Sequence, residues 1–260
     1  MFPIFDTHAH YDDEAFDPDR EEVLAGLAGH GVAKVCDIGA GIVSSKAALE
    51  LARKHDRVYC SLGVIPGKCS EINEESWDWL CNAAETEEKC VAIGEIGLDY
   101  HWDDDPADVQ KHWFVRQMQL ADKLGKPIVV HSRDAAKDTI DIMRANKASE
   151  IGGVIHCYSY TKESAREFLD MGFYFGIGGV VTFKNAKKLV EAVRYIPLSA
   201  IVLETDCPYL APTPHRGERN YSGYLPLVAE EIARIKQIPF EKVVETAWYN
   251  AHSLYKIDVV

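Results

Sequence analysis

Eight short runs rich in β-branched and apolar residues recur along the 260-residue chain, each followed by a segment with helical periodicity. That alternation is the signature of parallel β/α units, and it excludes a sandwich, whose strands follow one another through tight turns. The runs are Ile4 to His8, Val32 to Ile38, Val58 to Val64, Val91 to Ile96, Pro127 to His131, Gly153 to His156, Phe173 to Ile177 and Ala200 to Thr205. Helical periodicity is clearest from Pro106 to Leu124, where Pro106 suits a first turn and Phe114, Met118 and Ala121 share a face. The length matches one α/β barrel of about 250 residues. The expectation is therefore a single-domain (β/α)₈ TIM barrel spanning residues 1–260.

Eight strands could also form a doubly wound sheet, and Gly39, Ala40 and Gly41 after the second run faintly resemble a dinucleotide loop. The loop follows the wrong strand, and Ser44 occupies the third glycine position, so a glycine-rich turn explains it better.

Hydrophobic residues at 47% and charged residues at 27% are the balance of a globular enzyme. The start, Met1 to Asp6, lacks the basic and apolar regions of a signal peptide, and the run from Phe173 to Phe183 is too short to span a bilayer. The expected location is the cytoplasm, with no membrane partner. Seven cysteines without a CxxC pair read as reduced thiols, Cys36, Cys60 and Cys90 as small buried hydrophobes. With 28 basic and 41 acidic side chains the net charge is −13, so any nucleic-acid contact must be local. Two short basic stretches, Lys184 to Lys188 and His215 to Arg219, are solvated faces that could border a site.

A barrel places its chemistry at the C-terminal ends of its strands. There the sequence puts His8 and His10 after the first strand, Glu95 after the fourth, His131 after the fifth, His156 after the sixth and Asp206 after the eighth. Any one histidine is explained by an ordinary hydrogen bond, but six such groups at strand ends are not. Glu95, among Ile93, Gly94 and Ile96, is hardest to explain without a cation, since burial alone would protonate it. Six ligands exceed one tetrahedral site and suit two ions about 3.5–4 Å apart. Two divalent ions, two carboxylates and a bridging hydroxide leave about one positive charge at the mouth, which fits a phosphate.

These residues resemble the TatD family of metal-dependent deoxyribonucleases, within the amidohydrolase-like barrels. The matching stretches are Asp6-Thr7-His8-Ala9-His10, Gly94 to Tyr100, Pro127 to Arg133, His156 to Ser159 and Leu203 to Pro208, with Gln110, Phe114, Gln117, Arg216 and Arg219-Asn220 also similar. The resemblance implies that His8, His10, Glu95 and Asp206 serve one metal and that Glu95, His131 and His156 serve a second, with Glu95 bridging. It further implies that Asp206 orients or deprotonates the attacking water, and that Arg133 and Tyr100 lie nearest a substrate phosphate. Asp6 and Glu204, one pleat before ligands, are expected to support them by hydrogen bonds.

Two departures stand out. Gly63-Val64-Ile65-Pro66 replaces the family's Gly-x-His-Pro, removing an imidazole from the mouth, and Tyr221-Ser222 replaces Glu-Pro after Asn220. The leading expectation is hydrolysis of DNA phosphodiesters at single-stranded ends with Mg2+, Mn2+ or Zn2+. Hydrolysis of a small ester, amide or phosphotriester at the same site is the alternative, and a metal-bearing barrel that only binds a partner is a third reading.

Overall fold

The computed structural model describes residues 3–102 and 105–259, so Met1 and Phe2, part of the segment read as lacking a leader, lie outside the described residues. The strands are β1 (Ile4–Ala9), β2 (Val32–Ile38), β3 (Val58–Leu62), β4 (Cys90–Asp99), β5 (Ile128–Arg133), β6 (Gly153–Ile155), β7 (Tyr174–Ile177) and β8 (Ile201–Leu203). They stand side by side in chain order, every neighbouring pair parallel. The ring closes just beyond β8, where the amide of His10 donates to the Cys207 carbonyl and the amide of Asp206 to the His8 carbonyl, both at 2.9 Å. The expected eight-stranded barrel is therefore observed.

The outer layer consists of α1 (Arg20–Gly26), α2 (Ile42–Lys54), α3 (Glu74–Thr86), α4 (Ala107–Leu124), α5 (Ala136–Ala145), the single turn α6 (Ala148–Ile151), α7 (Lys162–Asp170), α8 (Lys187–Tyr195), α9 (Leu225–Lys236) and α10 (Phe240–Tyr255). On α4, Phe114, Met118 and Ala121 are buried as their spacing predicts, while Pro106 is the N-cap and not part of the first turn. A nonpolar stripe of this kind is what fastens a helix to the strands beneath it.

Inside the ring, Phe5, Cys36, Ala92, Val129, Val154 and Val202 come from six different strands and pack against Trp248, Ala251, Leu254 and Tyr255 of α10. They form an apolar floor. Val129, Val154 and Val202 each precede by one pleat a polar residue of the mouth, namely His131, His156 and Glu204. Because side chains two apart along a strand share a face, the same period that fills the floor lifts the site above it.

Two glycines make room for that layer. Gly97 has φ +146°, and a Cβ there would collide with the His131 carbonyl oxygen. At Gly176 a Cβ would enter the carboxylate of Glu204. The strand ends differ from expectation mainly at β4, which runs on to Asp99, and at β6 and β8, which stop early and leave His156 and Asp206 on the loops that follow.

Candidate metal centre

All six expected ligands converge at the C-terminal mouth. His8 Nε2 lies 3.2 Å from His10 Nε2 and 3.5 Å from Glu95 Oε2. Glu95 turns its other oxygen, Oε1, to His131 Nδ1 at 2.7 Å and to His156 Nε2 at 3.8 Å. Asp206 Oδ1 completes the group, 3.4 Å from His10, 3.7 Å from His8 and 3.8 Å from His156, each through Nε2.

The separations among His8, His10, Glu95 Oε2 and Asp206 suit a shared ion, because ligands held about 2.0–2.2 Å from a tetrahedral centre lie roughly 3.3–3.6 Å apart, whereas His131 Nδ1 and Glu95 Oε1 are at hydrogen-bond distance. The donor set fits too, since imidazole nitrogens and carboxylate oxygens are the ligands that divalent ions take, and the Nε2 atoms of His8 and His10 face each other at 3.2 Å. His8, His10 and Glu95 form one trio whose ligand atoms fall within 4.8 Å of one another, and Glu95, His131 and His156 form another. Glu95 belongs to both, with one oxygen toward each.

Electrostatics point the same way. Burial works to raise Glu95, yet His156, His131 and His8 hold it well below the ordinary carboxylate range. Asp206 is likewise lowered against its burial, chiefly by His156 and His10. Burial also opposes charge on the imidazoles, but Asp206 raises His10 to about 10, Asp99 and Glu95 raise His131 to about 10, and Glu204 with Glu95 raises His156 to about 9. His8, buried and repelled by His156, is lowered. With protein charges alone the cluster keeps its carboxylates ionised and collects protons, as a site built for cations must.

The supporting residues only partly follow the sequence reading. Glu204 Oε1 lies 3.1 Å from His156 Nδ1 without hydrogen-bond geometry, and it accepts from the Cys157 amide at 2.6 Å. Asp6 does not reach a ligand side chain. A register irregularity between Asp6 and Ala9 interrupts the alternation, and the carboxylate instead accepts from Thr205 N and Oγ1, Ser222 Oγ and the His8 amide. Asp99, which the sequence pattern does not single out, stands 2.9 Å from His131 Nε2. Counting by twos from Glu95 would have found it, since 95, 97 and 99 share a face if the strand persists.

The mouth opens as a cleft of about 400 Å³, lined by His10, Glu95, Asp99, His131, His156 and Asp206, with Arg133, Lys68, Trp102 and Tyr209 at its rim. Arg133 thus lines the cleft. Tyr100 is not among the lining residues, and its hydroxyl donates to Asp138 at 2.8 Å, because the residue after Asp99 falls on the opposite side of β4. His101 pairs with Asp134 and His215 with Glu218, both away from the ligands. Burial pushes the Cys157 and Cys207 thiols well up, so neither is an activated nucleophile.

Of the two departures, Ile65 lines the cleft wall. Ser222 serves the fold, donating to Asp6 at 2.6 Å and pairing with the Tyr11 hydroxyl at 2.8 Å. The basic stretches are partly occupied, Arg219 by Asp19 at 2.6 Å and Arg216 over the Phe183 ring at 3.8 Å.

A family model described as TatD related DNase matches residues 5–256. The Bacillus subtilis protein named "Uncharacterized metal-dependent hydrolase YabD" is 41% identical, covering 98% of this chain and 100% of its own. Its Escherichia coli K12 counterpart, YcfH, carries the same description and is 36% identical over 98% of this chain and 96% of its own. Among solved structures, the TatD homologue YjjV of Escherichia coli K12 superposes with a TM-score of 0.92 at 27% identity, covering 98% of each chain.

Proposed function

Because this chain belongs to the TatD-related family of metal-dependent hydrolases, we propose that it cleaves DNA phosphodiester bonds, at single-stranded ends, using two divalent ions held by His8, His10, Glu95, His131, His156 and Asp206. The observation that carries this reading is Glu95, whose two oxygens face separate histidine groups at 3.5 and 2.7 Å. Bound there, Mg2+, Mn2+ or Zn2+ would supply Lewis acidity toward the phosphoryl oxygens and lower the pKa of the attacking water.

The chain's own residues do the rest. Asp206, ionised and within 3.8 Å of three imidazoles, accepts the proton that the attacking water gives up. Asp99 fixes the ring of His131 by a hydrogen bond, so that the opposite nitrogen faces Glu95, and the Glu204 carboxylate stands 3.1 Å from Nδ1 of His156. Arg133 at the rim meets the charge of the phosphate. The seven free cysteines suit the reducing cytosol, where we place the protein; among the described residues no helix is long and apolar enough to cross a membrane.

Ile65 in the cleft wall favours a second reading, in which the same centre hydrolyses a small ester, amide or phosphotriester. The deciding experiment incubates purified protein, loaded in turn with magnesium, manganese and zinc, with single-stranded DNA and with a panel of such small substrates. DNA shortening that chelator abolishes supports the nuclease. Intact DNA beside a cleaved small substrate replaces it with the second reading.

A further inference from the structure

The rim carries two large aromatic side chains that the metal chemistry leaves unused. Trp102 is 57% exposed and Tyr209 54%, and both line the same cleft as Glu95 and Asp206. A single exposed aromatic is ordinary on a protein surface. What distinguishes Trp102 is how it is held. The amides of His101 and Trp102 donate to Asp99 Oδ1 at 2.8 and 3.3 Å, while Oδ2 of the same carboxylate lies 2.9 Å from His131 Nε2. One side chain thus ties the backbone of the indole to an imidazole of the metal centre. The guanidinium of Arg133 lies 5.4 Å from the indole centroid, and the His101 ring meets it edge-on at 4.8 Å.

Below this rim the cleft is lined largely by charged and imidazole groups within about 400 Å³. A phosphate can descend to the carboxylates and imidazoles, but the flat apolar face of a base finds no counterpart there. The aromatic faces lining the cleft are those of Trp102 and Tyr209. Base-on-aromatic stacking accepts every base, because each has a π face. With the guanidinium over the indole ring, the pair offers partners for the two parts of one nucleotide, an anion and a ring.

We infer that Trp102 is a nucleobase platform, on which the base beside the scissile phosphate stacks while Arg133 holds that phosphate; this rests on the nucleic-acid reading above. Tyr209, pinned by its hydroxyl to Asp13 at 2.9 Å, is part of the opposite loop and is not needed for the assignment.

The test is calorimetric titration of the metal-loaded protein with dAMP and with deoxyribose 5-phosphate, in which a hydroxyl at C1′ stands in place of the base. The wild type binds dAMP more tightly by about 5- to 100-fold, the range of one stacked base. Trp102→Ala abolishes that preference while leaving deoxyribose 5-phosphate binding unchanged, and Trp102→Phe restores most of it. Quenching of indole fluorescence by dAMP is correspondingly smaller in Trp102→Phe. Equal wild-type affinities for the two ligands, or equal losses for both in Trp102→Ala, overturn the platform. If the wild type degrades single-stranded DNA and still shows no base preference, only the platform falls. If it neither degrades DNA nor binds either phosphate, the nucleic-acid reading fails first and the platform goes with it.

Discussion

At the scale of single residues, the site divides charge so that each substitution has a distinct signature. Glu95 is the one ligand common to both trios, so Glu95→Ala should lose both ions, and metal analysis of washed protein checks this; two retained ions would show that the carboxylate is not shared. Asp206→Asn removes a ligand charge and the proton acceptor together, and should lower the rate by roughly 10²- to 10⁴-fold. Arg133→Ala deletes only a rim contact and should cost less, which steady-state rates on one oligonucleotide would compare. The raised imidazoles set a pH dependence whose sign follows directly. His10 and His131 at about 10 and His156 at about 9 hold protons at neutral pH, and a metal must displace them. Apparent metal affinity should therefore rise as pH climbs from neutral toward 10, with proton release on binding. Calorimetry in two buffers of different ionisation enthalpy measures that release, and its absence would mean that the rings are already neutral.

At the scale of elements, what could be read in advance was whatever depends on a regular period. The six candidate ligands were legible because strand ends can be located from apolar runs, whereas Arg133 came only from the family resemblance. Irregularities hid the remainder. The β4 run continues three residues beyond the apolar stretch, which concealed Asp99. The irregular register after Asp6 sent that carboxylate to Thr205 and Ser222, a contact across 199 and 216 residues of chain that no local pattern encodes. Close packing of β4 on β5 gives the fourth prediction. With φ +146° and the His131 carbonyl in the way of any Cβ, Gly97→Ala should destabilise the fold by about 1–3 kcal/mol, the usual cost of forcing a side chain into such a backbone. Thermal unfolding measures the loss. Metal affinity should fall with it, because the backbone that must move carries His131; an unchanged melting temperature would show that the strand pair yields freely.

At the scale of the whole molecule, a net charge of −13 would limit how nucleic acid approaches if, as proposed, the chain is a nuclease. A protein this acidic repels a long duplex, so attraction has to come from the mouth, where Lys68 and Arg133 are the lysine and arginine among the lining residues. Two phosphate contacts on a single strand correspond to a slope of about −1.4 in log affinity against log salt. That is shallow for a nucleic-acid enzyme, and it means that binding is governed by fit more than by field. The fit is demanding, since His8, Glu95 and His156 are buried below the rim. A scissile phosphate must leave the surface of its own polymer to meet them, which a free end or an unpaired strand does easily and a stacked duplex does only after unwinding. Single-stranded ends should accordingly be degraded fastest, blunt duplex ends more slowly, and covalently closed duplex circles scarcely at all. Gel assays of the three substrates at matched phosphate concentration, repeated across a salt series, test both halves of the argument. Closed circles cut as fast as linear single strands, or a salt slope several times steeper, would require a binding surface far larger than this mouth.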